Sequence, residues 1–393
     1  MHPALLTLIA LFALLGHGYF WVAVVNRLHA WAGLRTIIDL LTLASSIAFL
    51  VLPFVIAWQW WLHGATFFDA QSLSLIAQCS LVYFLACAFF GFGKLLAKFV
   101  GDAREDDLAT VLRKEQRFVE PPQPFPHDTV RGAYAKLLTL VPGNQALRMA
   151  IDTKRLLIPW LPAELDGLKV VHISDFHITG KVGPEWFKYV ADAVNTLDAD
   201  VILVTGDLVE NEECRSWLVE SMKHLRGKYG IYFVLGNHDF YIDAEQTIRD
   251  LSEIGWTHVG GKAVVASWNN CPVLIAGNEV PWQKQFADLR QAEQGLGRRP
   301  FRIMLMHTPD QFDWACTSHG DLALAGHNHG GQVCFPILGA VAAPSLYGTR
   351  FAGGTFRRGN TIMHVTRGIS GETPLRWGCP PEIGLLELVA KAT

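Results

Sequence analysis

Five short stretches concentrate the reactive residues of this 393-residue chain: SDFH (174–177), GDLVE (206–210), GNHD (236–239), MHT (306–308) and GHNH (326–329). They supply Asp175, His177, Asp207, Asn237, His307, His327 and His329, with His238, Asp239 and Glu210 beside them. Taken singly, each has an ordinary reading. Asp175 suits a helix N-cap, Asp207 a turn, His307 a strand end, and the GHNHGG histidines a solvated Gly-rich loop. Taken together, imidazole, carboxylate and amide groups with neither Lys nor Ser among them are what a divalent metal recruits. On an extended chain residues i and i+2 point the same way about 6.6 Å apart, so Asp175 and His177, or His327 and His329, can reach one ion. Two ions about 3.5–4 Å apart, sharing a bridging carboxylate, need about seven or eight ligands. Seven are present.

Groups so far apart in sequence need a scaffold that brings them together. From residue 168 onward the chain alternates short apolar runs with helical segments: LKVVHIS, VILVTG, IYFVLG, VLIAGN, FRIMLMH and LALAGH. Such continuous runs read as strands buried on both faces of an α/β core. In open α/β sheets ligands bind at the carboxyl ends of strands, and five of these six runs end in one of the reactive stretches.

With the blocks DxH, GDxx, GNH(D/E), a lone His and GHxH in that order over residues 170–329, the chain resembles the calcineurin-like metallophosphoesterase superfamily. The continuation GGQVCFP, PSLYGTRF, VTRG, PLRW and PEIGLLEL is similar to its membrane-associated bacterial branch, so the resemblance covers about residues 150–390. It implies a four-layer αββα fold with two mixed β-sheets, and a metal-dependent phosphodiesterase or pyrophosphatase. It also implies that Asp175, His177, Asp207 and His329 hold one ion, and that Asp207, Asn237, His307 and His327 hold the other. His238 matches the family's non-ligand histidine, which stabilises charge and protonates the leaving oxygen. The implied reaction is in-line displacement at phosphorus by a hydroxide held between the ions, with no covalent intermediate. The ligand types fit Mn²⁺, Fe or Zn²⁺, and the resemblance favours Mn²⁺. Glu210 stands where the protein-phosphatase branch has an Asp supporting the histidine, and Asn211 where that branch has a phosphate-binding Arg. Either Glu210 or Asp239 can orient His238.

The N-terminal part is of a different kind. Residues 4–25, 36–61 and 73–93 are apolar stretches long enough to span a hydrocarbon core. The first lacks a basic n-region and a small-residue cleavage site, which argues against a removable signal peptide. Arg27 and Arg35 lie in the first connection, and Lys94, Lys98 and Arg104 follow the third span. The positive-inside rule then puts the N-terminus outside and everything after residue 100 in the cytoplasm, at a bacterial inner membrane. Trp58, Trp60 and Trp61 fit an aromatic belt at the outer end of the second span. His17 and Asp39 are polar groups inside or near these spans, read as packing or interfacial residues rather than a transport path.

The reading is thus a three-helix membrane region (1–100), a juxtamembrane helix and Pro-rich linker (101–150), and a phosphoesterase domain (151–393). Residues 101–118 are charge-rich and helix-compatible, PPQPFP at 121–126 is a stiff spacer, and Ala133, Leu137, Leu138 and Leu140 suggest an amphipathic helix. LLIPWLP (156–162) either touches the bilayer or packs on the domain. A net charge of −3 gives no field for nucleic acid, which is not expected as a partner. Seven scattered cysteines, none in a CxxC pair, suit a reducing compartment and argue against disulfides. Membrane attachment suggests a lipid-linked phosphodiester or pyrophosphate, with CFPILGAVAAP (334–344) a candidate apolar surface or an ordinary strand and turn. The family's relatives include pyrophosphatases acting on UDP-diacylglucosamine. A soluble cyclic nucleotide or phosphoprotein substrate is the alternative. A non-catalytic binding module would lack ligands, and none is missing. Arg350, Arg367 and Arg376 are either phosphate contacts or structural arginines. Sequence does not bear on oligomeric state.

Overall fold

A computed structural model describes residues 2–68, 73–100, 109–119, 129–336 and 339–391. The chain forms two compact units, Met1–Arg104 and Glu105–Thr393.

The first unit contains α1 (Pro3–His29), α2 (Arg35–His63) and α3 (Leu75–Val100), all long and apolar enough to cross a membrane. Leu5, Leu8, Leu11, Leu40 and Phe89 point outward, as expected of helices whose solvent is hydrocarbon. α1 and α3 touch backbone to backbone at Gly16, where a Cβ would stand 1.8 Å from the Cys87 carbonyl oxygen. Pro53 inside α2 has no N–H, so the Phe49 carbonyl loses its usual donor. His17 supplies the replacement: its Nε2 donates to Phe49 O at 2.9 Å. A carbonyl can only accept, which leaves His17 Nδ1 to receive the Tyr83 hydroxyl at 2.7 Å. Trp21 Nε1 donates in turn to the Tyr83 oxygen at 3.0 Å. Among the sequence expectations, His17 is therefore a packing residue, and Asp39 is exposed near the start of α2.

The second unit is built from β1 (Val111–Val119), α4 (Ala133–Thr139), β2 (Met149–Ile158), β3 (Lys169–Ile173), α5 (Pro184–Asn195), β4 (Val201–Thr205), α6 (Arg215–Met222), β5 (Ile231–Val234), α7 (Asn237–Tyr241), α8 (Ala244–Glu253) and β6 (Thr257–His258). It continues with β7 (Ala263–Trp268), β8 (Cys271–Asn278), α9 (Leu289–Ala292), β9 (Phe301–Met306), α10 (Phe312–Thr317) and β10 (Leu322–Ala325). Last come β11 (Cys334–Phe335), β12 (Gly339–Ala340), β13 (Gly354–Arg358), β14 (Thr361–Val365) and β15 (Glu382–Ala390). One mixed sheet runs β1-β2-β15-β3-β4-β5-β6 and the other β13-β14-β10-β9-β8-β7. All six apolar runs picked out in the sequence are strands: β3, β4, β5, β8, β9 and β10.

Why those runs are continuous rather than alternating is visible in the packing. Val170, Val201 and Leu203 face Ile275, Ile303 and Leu324 of the opposite sheet. Val171, Ile202 and Val204 face the other way, onto Trp186, Val190 and Leu218 of α5 and α6. Met304 and Ala323 of the second sheet meet Phe312 and Ala315 of α10. Both faces of each sheet are covered, giving the four αββα layers. Each fully buried Val, Leu or Ile contributes about 1.5–3 kcal/mol.

The segment before residue 150 departs from expectation. Residues 111–119 form β1 rather than part of a helix, pairing antiparallel with β2 from Val111↔Leu156 to Val119↔Met149. Arg, Lys, Glu and Gln favour a helix locally, but the exposed edge of β2 offers a ladder, and charged side chains suit an edge strand. Only Ala133–Thr139 is helical in the region expected to be amphipathic. The Pro-rich spacer (121–126) and the charged residues 101–108 lie outside the described residues. In LLIPWLP, Leu156, Ile158 and Leu161 are buried in the inter-sheet core, so packing on the domain is the reading that holds. None of the seven cysteines forms a disulfide.

Candidate metal centre

The loops after β3, β4, β5, β9 and β10 converge at one end of the two sheets. Asp175 and His177 follow β3, Asp207 follows β4, Asn237 and His238 open α7 after β5, His307 follows β9, and His327 and His329 follow β10. All eight are buried. The extended i, i+2 geometry expected for the two pairs is not what brings them together. Asp175, His177, Asp207, His327 and His329 all adopt positive φ, between 45° and 68°. The chain turns sharply on leaving each strand and throws the side chain back over the sheet edge. Asp and His tolerate this left-handed conformation better than most residues, and such strain collects at functional sites. Gly326 has a different job, since a Cβ there would sit 2.3 Å from Asp175 Oδ2.

Asp207 lies between two clusters. On one side His177 Nε2 is 2.9 Å from His329 Nε2, 3.6 Å from Asp207 Oδ2 and 3.8 Å from Asp175 Oδ1. On the other, His307 Nε2 is 3.1 Å from Asp207 Oδ2, 3.1 Å from Asn237 Oδ1 and 3.1 Å from His327 Nδ1. The second cluster shows what it is built to hold. His307 Nδ1 lies 2.6 Å from the Thr205 carbonyl, so it carries the proton. Nε2 points at the oxygens of Asp207 and Asn237, and would present a lone pair to an ion there once the ring is neutral. Two ring nitrogens and two side-chain oxygens converge there, and His327 Nε2 is buried with no hydrogen-bond partner. A cation satisfies such an arrangement, so the residues fit a dinuclear metal centre.

The electrostatics say the same. Burial opposes the charged form of His307, but Asp207 beside it holds its pKa up to about 9. Burial, aided by His307, pushes His327 down to about 3. Burial would lower His177 too, yet Glu210 holds it well above the usual range. One cluster of imidazoles with such opposed shifts is competing for too few protons.

The supporting residues separate clearly. Asp239 accepts from the backbone N–H groups of Leu208 (2.9 Å), Val209 (3.1 Å) and Gly236 (2.9 Å), tying the loops after β4 and β5 together. Burial and then Asp207 raise its pKa to about 6. Glu210 bridges the two imidazoles that matter: Oε1 bonds His177 Nδ1, and Oε2 lies 3.3 Å from His238 Nδ1, close but off the hydrogen-bonding direction. Of the two carboxylates left open by the sequence, Glu210 is the one against His238. The His238 backbone N–H donates to Asp207 Oδ1 at 3.0 Å, fixing the ring over the bridge.

Other residues were not legible. Trp282 packs edge-on against His307 and His327, with centroids 5.7 and 5.5 Å away. It stands just past β8, the one strand end of the six with no reactive stretch assigned to it. Glu372, in the loop between β14 and β15, places Oε1 3.2 Å from His238 Nε2. Arg376 is buried, donating to the carbonyls of His329 (3.1 Å), Arg367 (2.7 Å) and Ser370. Arg367 pairs with Asp152 (3.0 Å) and Glu382 (3.4 Å), and Arg350 lies over Phe351. Arg367 and Arg376 are therefore structural rather than phosphate contacts.

Residues 168–331 match the family model for calcineurin-like phosphoesterases. The metallophosphoesterase YkuE of Bacillus subtilis is 28% identical over 244 residues, covering 58% of this chain and 81% of YkuE. A Helicobacter pylori metallophosphoesterase is 30% identical over 231 residues, 57% of this chain, and the match spans only 60% of that relative's length. The UDP-2,3-diacylglucosamine pyrophosphatase LpxG of Chlamydia trachomatis is 26% identical over 285 residues, covering 57% of this chain and 84% of LpxG. Members of this family work with a dinuclear metal centre, which is what the clusters around Asp207 fit. The αββα domain belongs to the calcineurin-like phosphoesterases, and the chain is a metal-dependent phosphoric ester hydrolase.

Proposed function

We propose that the chain is a membrane-anchored phosphoesterase that cleaves a phosphodiester or pyrophosphate bond in a lipid-linked substrate such as UDP-diacylglucosamine, with its catalytic domain facing the cytoplasm of a bacterial inner membrane. The observation that carries the reaction is the convergence of two buried ligand clusters on Asp207. Asp175, His177, Asp207 and His329 would hold one ion, and Asp207, Asn237, His307 and His327 the other, with Mn²⁺ the favoured metal. When bound, two such ions neutralise phosphoryl charge and make water acidic enough to attack at neutral pH.

The chain's own residues do the rest. Thr205 holds the His307 ring in one tautomer, and Glu210 does the same for His177. His238 projects beside Asp207 with Glu210 behind its Nδ1, leaving Nε2 to face the departing oxygen and deliver a proton to it. The buried setting keeps these dipoles in place before substrate arrives.

Three features support a lipid-linked substrate. The N-terminal helices are apolar enough to span a membrane, Phe335 of the β11–β12 hairpin and Leu346 beyond it are exposed, and LpxG by its name acts on a diacylated nucleotide sugar. Arg27, Arg35 and Lys94 support the cytoplasmic orientation. Detergent-solubilised protein loaded in turn with Mn²⁺, Fe²⁺ or Zn²⁺ should hydrolyse bis-p-nitrophenyl phosphate and UDP-diacylglucosamine in mixed micelles, with Mn²⁺ best. Preference for a cyclic nucleotide or phosphoprotein over any micellar substrate would overturn the lipid reading, and inertness toward every ester would overturn the reaction.

A further inference from the structure

His238 is flanked by carboxylates on both ring nitrogens: buried Glu210 lies 3.3 Å from Nδ1, and Glu372 lies 3.2 Å from Nε2 with half of its side chain open to solvent. The loop that carries Glu372 is tied down, since Lys181 Nζ donates to the Glu372 carbonyl at 2.6 Å. Nε2 is the nitrogen that faces the departing oxygen, so the Glu372 charge sits where the phosphoryl group must come.

A second observation points the same way. Of the arginines the sequence offers as phosphate contacts, Arg350 lies over the Phe351 ring while Arg367 and Arg376 are committed elsewhere. Asn211 donates through Nδ2 to the Thr179 carbonyl at 3.5 Å and accepts from the Glu213 N–H at 3.0 Å. Arg367 is locked to Asp152 and Glu382, and Arg376 to the carbonyls of His329, Arg367 and Ser370. A phosphomonoester carries close to two charges at neutral pH, because its second pKa is about 6. A diester, or the phosphorus attacked in a pyrophosphate diester, carries one.

We propose that Glu372 is a specificity-determining residue that discriminates against dianionic phosphomonoesters in favour of monoanionic phosphodiesters. This rests on the phosphoesterase reading above and adds to it the residue that sets substrate charge. One extra charge about 6 Å from a half-exposed carboxylate changes the ratio of rates by about three- to tenfold.

The test is the ratio of kcat/KM for p-nitrophenyl phosphate to that for bis-p-nitrophenyl phosphate, in Mn²⁺-loaded full-length protein, for wild type, E372D, E372Q and E372K. The ratio should be lowest for wild type and E372D, rise about three- to tenfold in E372Q, and rise further in E372K. The gap between wild type and E372Q should narrow as salt is raised from 0.05 to 0.5 M, which a purely structural role would not produce. A ratio that does not follow side-chain charge, or a gap indifferent to salt, overturns the proposal. Wild-type protein inert toward both esters is a different failure: it removes the phosphoesterase reading itself and the proposal with it. E372Q differs by one atom at a half-exposed site, so it keeps the question answerable if E372K does not fold.

Discussion

Two buried histidines, one in each unit, have opposite fates. His17 has both ring nitrogens engaged, one by the Phe49 carbonyl that Pro53 leaves without a donor and one by Tyr83. His327 has Nδ1 against another imidazole and Nε2 against nothing. The difference is instructive because an unpartnered polar atom costs more in hydrocarbon than elsewhere, and the apolar unit leaves His17 with none. In the α/β unit His327 instead stands in the cluster around Asp207, whose residues fit a metal centre. A buried histidine paired to a carbonyl and a hydroxyl is scaffold, whereas one set among carboxylates and other imidazoles has the surroundings of a ligand.

Substitutions can break or sharpen this contrast. The largest effect is expected from Asp207→Ala, which removes the carboxylate shared by both clusters: turnover should fall by about a thousandfold or more, and bound metal by at least one ion per chain on elemental analysis. Full metal content in that variant would show that the clusters do not share Asp207. His238→Ala should lower kcat by about 10²–10⁴-fold while metal content stays near wild type, and unchanged turnover would remove its assigned role. Glu210→Gln, which loosens both His177 and His238, should cost about 10–100-fold and weaken metal binding as well. The smallest effect belongs to the satisfied histidine. His17→Leu should leave metal content untouched and destabilise the helical unit by about 1–3 kcal/mol in detergent unfolding. Adding Pro53→Ala should recover most of that loss, because the Phe49 carbonyl regains its helical donor. A His17→Leu variant depleted of metal would erase the distinction.

Much of this was legible in the sequence, for a physical reason. Strands buried on both faces must be apolar throughout, so LKVVHIS or LALAGH announces itself, and polar residues at its end have no other excuse. The set of groups at the centre therefore followed from strand ends alone. Their geometry did not, because the positive φ of Asp175 or His327 is imposed by loops packed against distant neighbours. Glu372 and Trp282 were hidden by the same non-locality, each arriving on a loop with no ligand motif of its own. Residues 111–119 misled because RKEQR satisfies a helix as readily as a sheet edge, and only the edge of β2 decides between them.

The place of β15 has a consequence in time. This strand pairs Glu382 with Ala150 on one side and Gly384 with His172 on the other, so it separates β2 from β3 and is itself interior to the sheet. Loops that close over such long separations are entropically slow. On a ribosome, β3 must wait for β15 before it gains that neighbour, long after Asp175 and His177 have been made. The sheet that carries Asp175 and His177 is then completed late in synthesis, long after the apolar N-terminal helices have been made.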